Sequence, residues 1–258
     1  MKICRDELNK ICKEYSITIR ELMLLLQHIL NISYTKLFFT EIIDLSDEQY
    51  SALIQYVNRR SNNEPISKII GYKYFYNNKF FTNSNTLDPR PETELIVDLF
   101  QDYFPNKDEH LQILDLGCGT GCIGLSILSL YNNTILHLSD ISNEALEVAK
   151  KNAKSLNLLN KCKFIQSNWF EKINNTYDAI VSNPPYICNN YNLDQEVLYD
   201  PPEALFAGKD GMDAYNVILP NTSKYLQNNG KLFIEIGYNQ SEKIKLINSN
   251  LIKKQINR

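Results

Sequence analysis

From residue 111 onward, short apolar runs alternate with longer segments in which apolar residues recur every three or four positions. The short runs predict buried strands, and the periodic segments predict amphipathic helices. Such alternation predicts an α/β fold in which helices cover both faces of a mostly parallel sheet, with the strand-to-helix loops at one edge. The predicted strands are Leu111–Leu116, Thr134–Ser139, Cys162–Gln166, Ala179–Ser182 and Gly230–Ile236, and the predicted helices are Cys122–Tyr131, Asn143–Leu156, Asp213–Tyr225 and Ser241–Asn250.

The beginning of the chain shows helical periodicity and contains no Gly or Pro, which predicts a small helical bundle. Helices are expected over Ile3–Tyr15, Ile19–Leu30 and Tyr50–Arg60. Thr18 is expected to cap the second of these helices, and Ser46 is expected to open a capping box before the third.

Residues 65–88 are rich in β-branched and aromatic side chains and predict a β-hairpin, with breaks at Gly71 and at Asn77-Asn78. The stretch Asp88–Glu94 is then expected to open a helix that continues to Phe100. The expected organisation is a helical domain over residues 1–64, a hairpin linker over 65–88 and an α/β domain over 89–258.

The chain has 258 residues, 43% of them hydrophobic, and a net charge of −3. This balance disfavours a protein that holds nucleic acid through phosphate contacts, so no direct nucleic-acid contact is expected. The six cysteines form no Cys-x-x-Cys pair or zinc-binding pattern, so no metal is expected. Because neither a signal peptide nor a run of about 18 apolar residues occurs, we expect a soluble, cytoplasmic protein without membrane contact. A monomer is expected, because no oligomerisation element is visible.

A glycine-rich turn follows the first strand of the predicted sheet, in the stretch Asp115-Leu-Gly-Cys-Gly-Thr-Gly121. Glycines allow a sharp turn and a close approach of the backbone to a ligand, and the next helix offers its free N–H groups. The spacing Gly119-x-Gly121-x-x-Gly124 fits a dinucleotide site, whereas Asp115-x-Gly117-x-Gly119-x-Gly121 fits S-adenosylmethionine-dependent methyltransferases. The second interpretation is favoured, because its glycines come directly after the strand.

Two residues after the next strands are candidates for holding a nucleoside. Asp140 ends the second predicted strand, and its carboxylate can accept hydrogen bonds from ribose hydroxyls. Both cofactors contain that ribose, and Asp140 could instead cap the helix that begins near Asn143. Trp169 follows the third strand, where its ring could stack near an adenine or simply fill the core.

The fourth strand ends in a rigid corner, Ser182-Asn-Pro-Pro-Tyr-Ile187, in which two prolines fix the backbone. The Asn183 side chain and the Pro184 carbonyl offer two acceptors, which fit an NH₂ group. The Tyr186 ring offers a face on which a planar group can stack. The corner therefore suits a planar amine or amide: an adenine, a cytosine or a Gln or Asn side chain. The plainer alternative is a rigid turn that closes a strand.

Such nitrogens are poor nucleophiles, because their lone pair is delocalised. Two acceptors that hold both N–H groups would favour pyramidalisation and direct the lone pair toward a methyl sulfonium. Orientation and electrostatic stabilisation would then supply most of the catalysis, and no metal is required.

The glycine turn and the Asn-Pro-Pro-Tyr corner together resemble those of amino-group methyltransferases. Four further stretches narrow the resemblance to the PrmC/HemK family, the release factor glutamine methyltransferases: Pro65–Gly71, Pro89–Glu94, Ser167–Phe170 and Pro202–Phe206. The resemblance runs from the helical N-terminus to about residue 245. It implies a Rossmann-like class I methyltransferase sheet, S-adenosyl-L-methionine as cofactor, and methylation of the side-chain amide nitrogen of the Gln in the Gly-Gly-Gln motif of bacterial-type peptide chain release factors.

The same resemblance implies roles for individual residues. Asn183, Pro184 and Tyr186 would be catalytic. The helical domain would dock the release factor, and Arg90 and Glu92–Glu94 would lie near the cofactor entrance. The cofactor-binding residues would be Gly117, Cys118, Gly119, Thr120, Gly121, Asp140, Trp169 and Asn183, and the substrate-binding residues would be Asn183, Pro184, Pro185 and Tyr186.

Two departures from the family pattern are visible. Position 88 is usually apolar in the family and is Asp88 here. The family sheet usually continues past the predicted helix 241–250 into two more strands, and this sequence is expected to lack them, which would leave an apolar sheet edge.

Three alternatives remain. An adenine-N6 nucleic-acid methyltransferase shares the Asn-Pro-Pro-Tyr motif, but it would be expected to carry a basic groove. A cofactor-binding protein without activity is the second alternative. A dinucleotide-dependent oxidoreductase is the third, although the corner has no role in hydride transfer.

Overall fold

The computed structural model of the chain describes residues 1–247. The chain forms two compact units. The first contains residues 1–71 together with residues 193–199, and the second contains residues 72–192 and the chain from Asp200 onward. Within the described residues, no helix has the length and apolar character that crossing a membrane requires.

The first unit is mostly helical, as its periodicity predicts. Three buried leucines of one central helix, Leu22, Leu25 and Leu26, pack in its core with Leu53 and Val57 of a second helix. The helices of this unit are α1 (Arg5–Tyr15), α2 (Ile19–Leu30), α3 (Tyr34–Phe38), α4 (Asp47–Ser61) and α5 (Ile66–Ile70), and a short antiparallel pair is formed by β1 (Lys2–Cys4) and β2 (Ile42–Asp44).

Both predicted capping residues are confirmed. The Thr18 side chain accepts a hydrogen bond from the backbone N–H of Glu21, and the Glu21 carboxylate accepts one from the backbone of Thr18. Ser46 and Gln49 form the same reciprocal pair at the start of α4. These bonds satisfy N–H groups that have no partner within the helix.

Two local predictions at the borders of this unit are wrong. The first residues do not begin a helix, because Lys2–Cys4 pairs with Ile42–Asp44 as a strand. The stretch Pro65–Gly71 is not a hairpin arm but contains α5, with Pro65 as its N-cap and Gly71 ending it at φ 79°. A proline is tolerated at a helix start and a glycine at its end, so these residues delimit a short helix equally well.

The hairpin itself is formed by β3 (Tyr72–Phe75) and β4 (Asn78–Phe81). Tyr76 and Asn77 form its turn at positive φ, 46° and 62°, which matches the predicted break at Asn77. A 3₁₀ turn over Pro91–Thr93 then leads into the first helix of the second unit, as expected from the sequence.

The second unit confirms the predicted α/β fold. Besides the hairpin, the described part of this unit contains a sheet of five parallel strands in the order β7-β6-β5-β8-β9. The strands are β5 (Gln112–Leu116), β6 (Ile135–Asp140), β7 (Cys162–Gln166), β8 (Tyr177–Ser182) and β9 (Leu226–Ile234), and the helices are α6 (Glu94–Tyr103), α7 (Cys122–Leu130), α8 (Asn143–Ser155), α9 (Asp213–Thr222) and α10 (Ser241–Ile247).

The sheet is buried on both faces. On β5, Ile113 packs into one core cluster and Leu114 into another, as successive residues of a strand must when both faces are covered. The strand order reverses between β5 and β8, so the loops that follow these two strands diverge. Ligands of open parallel sheets bind in the crevice at such a switch point, at the carboxyl ends of the strands.

Predictions for the end of the chain fall outside the described residues. These are the last residues of the predicted helix, 248–250, and the expectation that two further strands are lacking after it.

Candidate active site

The glycine turn connects β5 to α7 and is held by backbone hydrogen bonds. The N–H groups of Gly117 and Cys118 both donate to the carbonyl of Ser139, each at 2.9 Å. The three predicted glycines all have positive φ: 71° at Gly117, 52° at Gly119 and 75° at Gly121. Because non-glycine residues rarely adopt these values, the turn has this shape only with glycines.

The glycines of the turn differ in what surrounds them. A Cβ atom at Gly121 would lie 2.9 Å from a methyl carbon of Leu138 and 3.0 Å from one of Leu125. A Cβ atom at Gly119 would meet nothing within 4 Å in the described part of the chain beyond its own neighbours in sequence. Gly121 is therefore required by packing, whereas the space beside Gly119 is open to a ligand.

Asp115 lies beneath the turn and is almost completely buried. Its Oδ2 accepts a hydrogen bond from the backbone N–H of Gly124 at 2.9 Å. Burial raises the pKa of this carboxyl to about 7, and the nearby Asp140 charge acts in the same direction. A Cβ atom at Gly124 would come within 2.8 Å of the carboxylate, so this third glycine serves the packing of α7 against β5.

Asp140, at the end of β6, faces the same turn. Its Oδ2 accepts a hydrogen bond from the N–H of Gly119 at 2.9 Å, and its Oδ1 accepts one from the N–H of Ser142 at 2.9 Å. Burial raises the pKa of Asp140, and these backbone bonds oppose that shift. Ser142 itself caps α8. The alternative that Asp140 caps α8 is therefore wrong, because Ser142 is the cap. The carboxylate instead orders the loop before α8 and lies against the predicted cofactor turn.

Trp169 follows β7 with a strained backbone, since its φ is 46°. The Ser167 hydroxyl donates to the Trp169 carbonyl at 2.9 Å and accepts from the N–H of Lys172 at 3.0 Å, which holds this conformation. A Cβ atom at Gly117 would lie 3.5 Å from the Trp169 ring. The structure therefore brings the predicted tryptophan next to the glycine turn, and positive φ at a bulky residue is typical of functional loops.

The other two residues of the predicted turn are buried. Cys118 is 7% exposed, and burial raises the pKa of its thiol well above the ordinary value. The backbone carbonyl of Thr120 accepts a hydrogen bond from the Asn152 side chain at 2.9 Å. Asn152 also pairs with the backbone of Phe81 through both ends of its amide, which ties the hairpin to the turn. No local spacing in the sequence pointed to this buried asparagine.

The Asn-Pro-Pro-Tyr corner follows β8 at the same sheet edge. The Asn183 Nδ2 donates to the Thr93 hydroxyl at 3.0 Å. The Asn183 Oδ1 is buried and has no hydrogen-bond partner among residues 1–247. A buried acceptor without a partner is costly unless a ligand supplies the donor.

Tyr186 completes the corner, and its position is fixed at two points. Its hydroxyl donates to Glu235 at 3.3 Å. The Gln240 side chain donates to the Tyr186 carbonyl at 2.9 Å and to the Gly211 carbonyl at 3.0 Å. Burial raises the pKa of Tyr186 to about 12, and the neighbouring Glu235 charge adds to this. The phenol is therefore a hydrogen-bond donor at neutral pH.

Glu235 is a polar residue of this site that the sequence-based predictions missed. It comes directly after β9 and accepts hydrogen bonds from Thr93 at 2.6 Å and from Tyr186. Burial raises the pKa of Glu235, while the hydrogen bonds from Thr93 and Tyr186 and the nearby Asn183 amide oppose the rise. No local signal in the sequence pointed to Glu235, because it lies inside the predicted strand Gly230–Ile236, whereas the observed strand ends at Ile234.

Asp88 and Arg90, which precede α6, meet at a buried carboxylate. The Arg90 guanidinium donates to Asp200 at 2.6 Å, and the backbone N–H of Asp88 donates to the same residue at 3.2 Å. The Asp88 carboxylate accepts a hydrogen bond from Thr82 at 2.8 Å. An acidic residue at position 88 is thus accommodated by polar neighbours. Arg90 forms this ion pair, and Thr93 is the residue of the predicted motif that contacts Asn183.

A cleft of about 660 Å³ lies beside the corner and the Trp169 loop. Its lining includes Trp169, Phe170, Pro185, Phe206, Val217 and Tyr225. The rings of Phe170 and Tyr225 stack in its wall, with centroids 4.4 Å apart and planes 4° from parallel. The lining also contains polar residues, namely Asn168, Glu171, Asp213 and Asn221. A cleft of this size could bind part of a ligand whose reacting group lies at the corner.

Two family models match the sequence in separate regions. Residues 11–71 match the PrmC N-terminal domain, and residues 91–254 match the methyltransferase small domain. The second match covers more than half of the chain and contains the glycine turn and the Asn-Pro-Pro-Tyr corner.

Curated relatives of known type are also similar over most of this chain. The chain is 37% identical over 262 residues to the bifunctional methyltransferase of Rickettsia typhi, which covers 93% of the chain but 50% of that protein. The chain therefore spans about half the length of these bifunctional relatives. It is 40% identical over 227 residues to the release factor glutamine methyltransferase of Buchnera aphidicola subsp. Schizaphis graminum, covering 87% of this chain and 82% of that protein.

Among solved structures, the hMettl16 catalytic domain in complex with the MAT2A 3′UTR hairpin 6 is similar in fold. Its TM-score is 0.53 at 14% sequence identity, and the match covers 80% of this chain and 76% of that chain. A likeness at this level of identity concerns the fold alone.

Proposed function

Because the chain belongs to the family of release factor glutamine methyltransferases, we propose that it transfers a methyl group from S-adenosyl-L-methionine to a glutamine side-chain nitrogen. The glutamine is that of the Gly-Gly-Gln motif in bacterial-type peptide chain release factors. The observation that carries the proposal is the buried Asn183 Oδ1, an acceptor without a partner in residues 1–247, which lies in a rigid corner beside the Pro184 carbonyl. A primary amide supplies the two N–H donors that this pair of acceptors requires.

The residues around the glycine turn fit S-adenosyl-L-methionine, which supplies an electrophilic methyl group when it is bound. Gly119 leaves open space beside the backbone, and the Trp169 ring lies against Gly117. The Asp140 carboxylate can accept hydrogen bonds from ribose hydroxyls. The residues that would hold the cofactor are Gly117, Cys118, Gly119, Thr120, Gly121, Asp140, Trp169 and Asn183.

The corner would hold and orient the substrate amide. Asn183 Oδ1 and the Pro184 carbonyl would each accept one N–H of the glutamine, while Pro185 and Tyr186 would pack against its planar group. Holding both N–H groups draws the nitrogen lone pair out of conjugation, so it can react as a nucleophile. One proton then leaves to solvent after the nitrogen has taken up the methyl group. Asn183, Pro184 and Tyr186 would thus act by positioning and electrostatic stabilisation.

The helical N-terminal domain is the part that we expect to recognise the release factor, since it lies outside the catalytic sheet. We further expect the protein to act in the cytoplasm as a monomer and to contact no nucleic acid directly. Analytical ultracentrifugation of the chain alone and with a release factor tests both the monomer and the complex.

A methyl-transfer assay tests the proposed function. The protein is mixed with labelled S-adenosyl-L-methionine and a bacterial-type release factor, and in parallel with a release factor whose Gly-Gly-Gln glutamine is alanine. Label is expected on the first and not on the second. Label that persists on the alanine variant would contradict the proposed target.

A parallel titration measures cofactor binding by the same preparation. Cofactor binding without any transfer would contradict the proposed activity and favour the alternative of a cofactor-binding protein without activity. Transfer to an adenine-containing oligonucleotide instead of the release factor would favour the nucleic-acid alternative.

A further inference from the structure

A chain of side-chain hydrogen bonds links the substrate corner to a carboxylate on the neighbouring strand. Ser182, the last residue of β8, is the register partner of Ile234, the last residue of β9. The residues that follow these strands, Asn183 and Glu235, therefore emerge side by side at the sheet edge. The Glu235 N–H donates to the Ser182 carbonyl at 3.0 Å, so the ladder fixes the backbone of Glu235 next to the corner.

Thr93 lies between the two side chains, and its hydroxyl can donate a hydrogen bond to only one of them. The Thr93 Oγ1 lies 2.6 Å from Glu235 Oε2 and 3.0 Å from Asn183 Nδ2. An ionised carboxylate can only accept, and a hydroxyl has a single hydrogen, so the Thr93 proton goes to Glu235. The Thr93 oxygen is then an acceptor, and it must face the NH₂ end of Asn183. The other end of the amide, Oδ1, is thereby left for another donor.

The same carboxylate also orders the aromatic residue of the corner. Glu235 Oε1 accepts a hydrogen bond from the Tyr186 hydroxyl at 3.3 Å. The hydroxyl of Tyr215 donates to the Glu235 backbone carbonyl at 3.1 Å, which anchors the residue from the α9 side. One acidic residue is thus connected to the amide and to the ring that the proposed function assigns to the substrate.

This carboxylate is partly buried, and packing alone does not account for an acidic residue at this place. Removing a carboxylate from water costs free energy that only hydrogen-bond donors can offset, and an apolar side chain would avoid the cost. Within the described residues, the donors found for the Glu235 carboxylate are groups of the corner and its support. An acidic residue kept there at a cost in stability is typical of a site that needs its polarity.

We propose that Glu235 is a positioning residue which, through Thr93, holds the Asn183 amide with its oxygen toward the substrate nitrogen and which also aligns Tyr186. This inference rests on the proposed glutamine methylation and adds to it a function for a residue outside the motif. Without the carboxylate, the Thr93 hydroxyl is free to donate to Asn183, and the amide can rotate so that its NH₂ end meets the substrate. Two NH₂ groups repel each other, so such a site would bind its ligands but transfer slowly.

The test compares variants that remove single polar groups along this chain. Glu235→Gln keeps the shape of the side chain but replaces a carboxylate, which can only accept hydrogen bonds, with an amide that can also donate them. Thr93→Val removes the hydroxyl, and Thr93→Ser keeps it. Thr222→Val is the matched control, because Thr222 is also buried and its hydroxyl donates to a carbonyl of its own helix, that of Ile218 at 2.7 Å, away from the corner. Each variant is measured for kcat and KM with a release factor, for cofactor Kd and for thermal unfolding.

We expect kcat to fall by about tenfold or more in Glu235→Gln and in Thr93→Val, with cofactor Kd changed by less than about threefold. Thr93→Ser and Thr222→Val are expected to retain kcat within about threefold. The double variant of Glu235→Gln and Thr93→Val should be no slower than the slower single variant, because both changes interrupt the same series of hydrogen bonds to Asn183.

Several results would overturn the inference. Unchanged kcat in Glu235→Gln is one, and a multiplicative loss in the double variant is another. A loss in Thr93→Val that serine does not restore would also oppose it. If Thr93→Val does not fold, Glu235→Gln and Thr93→Ser decide between the outcomes. Failure of the proposed function itself is distinguishable, because the unmodified protein would then transfer no methyl group to the glutamine.

Discussion

Two loops border the switch point of the sheet, one after β5 and one after β8, and they differ in the groups that hold them. The turn after β5 is held largely by backbone groups, since Gly117 and Cys118 share the Ser139 carbonyl and the N–H of Gly121 donates to the carbonyl of Cys118 at 2.7 Å. The side chains of Asp140 and Asn152 add one bond each to its backbone. The corner after β8 is held by side chains from elsewhere. Thr93, Glu235 and Gln240 bond to its amide, its phenol and one of its carbonyls.

The difference follows from what each loop has to present. A backbone turn offers shape and N–H groups, which suits a cofactor that must be surrounded closely. A side-chain network can define the direction of one amide, which suits a reacting group that must be oriented. Changes in the first loop should therefore act on stability and cofactor binding, and changes in the second on the rate of transfer.

The largest effect is expected for Asn183→Asp. The variant replaces the NH₂ group that faces Thr93 with a second acceptor, so this oxygen and the Glu235 carboxylate compete for the single Thr93 hydroxyl proton. We expect kcat to fall by about 100-fold or more, as when an enzyme loses one oriented polar group. Single-turnover transfer to a release factor measures this loss. Asn133→Asp, an exposed change on the loop before β6, is the control, and a loss of similar size there would contradict the assignment.

Alanine at two glycines of the turn should separate packing from ligand binding. Both positions have positive φ, which costs a non-glycine residue roughly 1–2 kcal/mol. Gly121→Ala also places its Cβ 2.9 Å from Leu138, so we expect a total loss of about 3 kcal/mol in the free energy of unfolding. Gly119→Ala should lower the free energy of unfolding only by the roughly 1–2 kcal/mol that positive φ costs, and it should also weaken cofactor binding.

Urea unfolding without cofactor and titration of the cofactor measure the two effects. Equal losses of stability at Gly119 and Gly121 would contradict the view that only Gly121 is required by packing. Unchanged cofactor affinity in Gly119→Ala would contradict the assignment of the open space beside it.

The sequence-based prediction succeeded where local pattern determines structure. Cys162–Gln166 has the predicted bounds, because its flanking residues change character abruptly. The strand β9 runs from Leu226 to Ile234 and not from Gly230 to Ile236, and its register with β8 shifts between Leu226 and Lys231. The polar run Gln227–Asn229 is exposed and carries no apolar signal, so the start of this strand could not be located from local pattern.

The site shows the same limit. The glycine turn and the corner are contiguous motifs, so their residues could be named from sequence. Glu235 could not, because its proximity to Asn183 arises from the register of β8 and β9, which joins residues about 50 positions apart. Asn152 was not predicted from the sequence for a similar reason, since its three side-chain hydrogen bonds connect α8 to β4 and to the glycine turn. Long-range pairing is decided by the whole sheet and not by local spacing.

The smallest effect is expected at Asp115, which supports the turn from below and should influence stability more than chemistry. Its pKa of about 7 lies above the ordinary value of 3.8, so the folded protein binds this proton more tightly than the unfolded chain. Stability therefore falls as the pH rises through this range, by about 1 kcal/mol between pH 6 and pH 8 from this group. Asp115→Asn keeps an acceptor for Gly124 and cannot ionise, so its stability should decline less steeply over the same interval.

Urea unfolding at several pH values gives the two slopes. Asp140 and Glu235 also have raised pKa values, and their contribution has the same sign. They remain in both proteins, so the difference between the slopes isolates Asp115. Asp178→Asn is the control for replacing a carboxylate that accepts a backbone hydrogen bond. Asp178 accepts such a bond from the N–H of Gln112 on β5 at 2.8 Å. Identical slopes in Asp115→Asn and the unmodified protein would mean that Asp115 does not change its charge between pH 6 and 8. The turn would then be supported by a carboxyl group that keeps one protonation state over this interval, and the contrast with the polar chemistry of the corner would be weaker than the structure indicates.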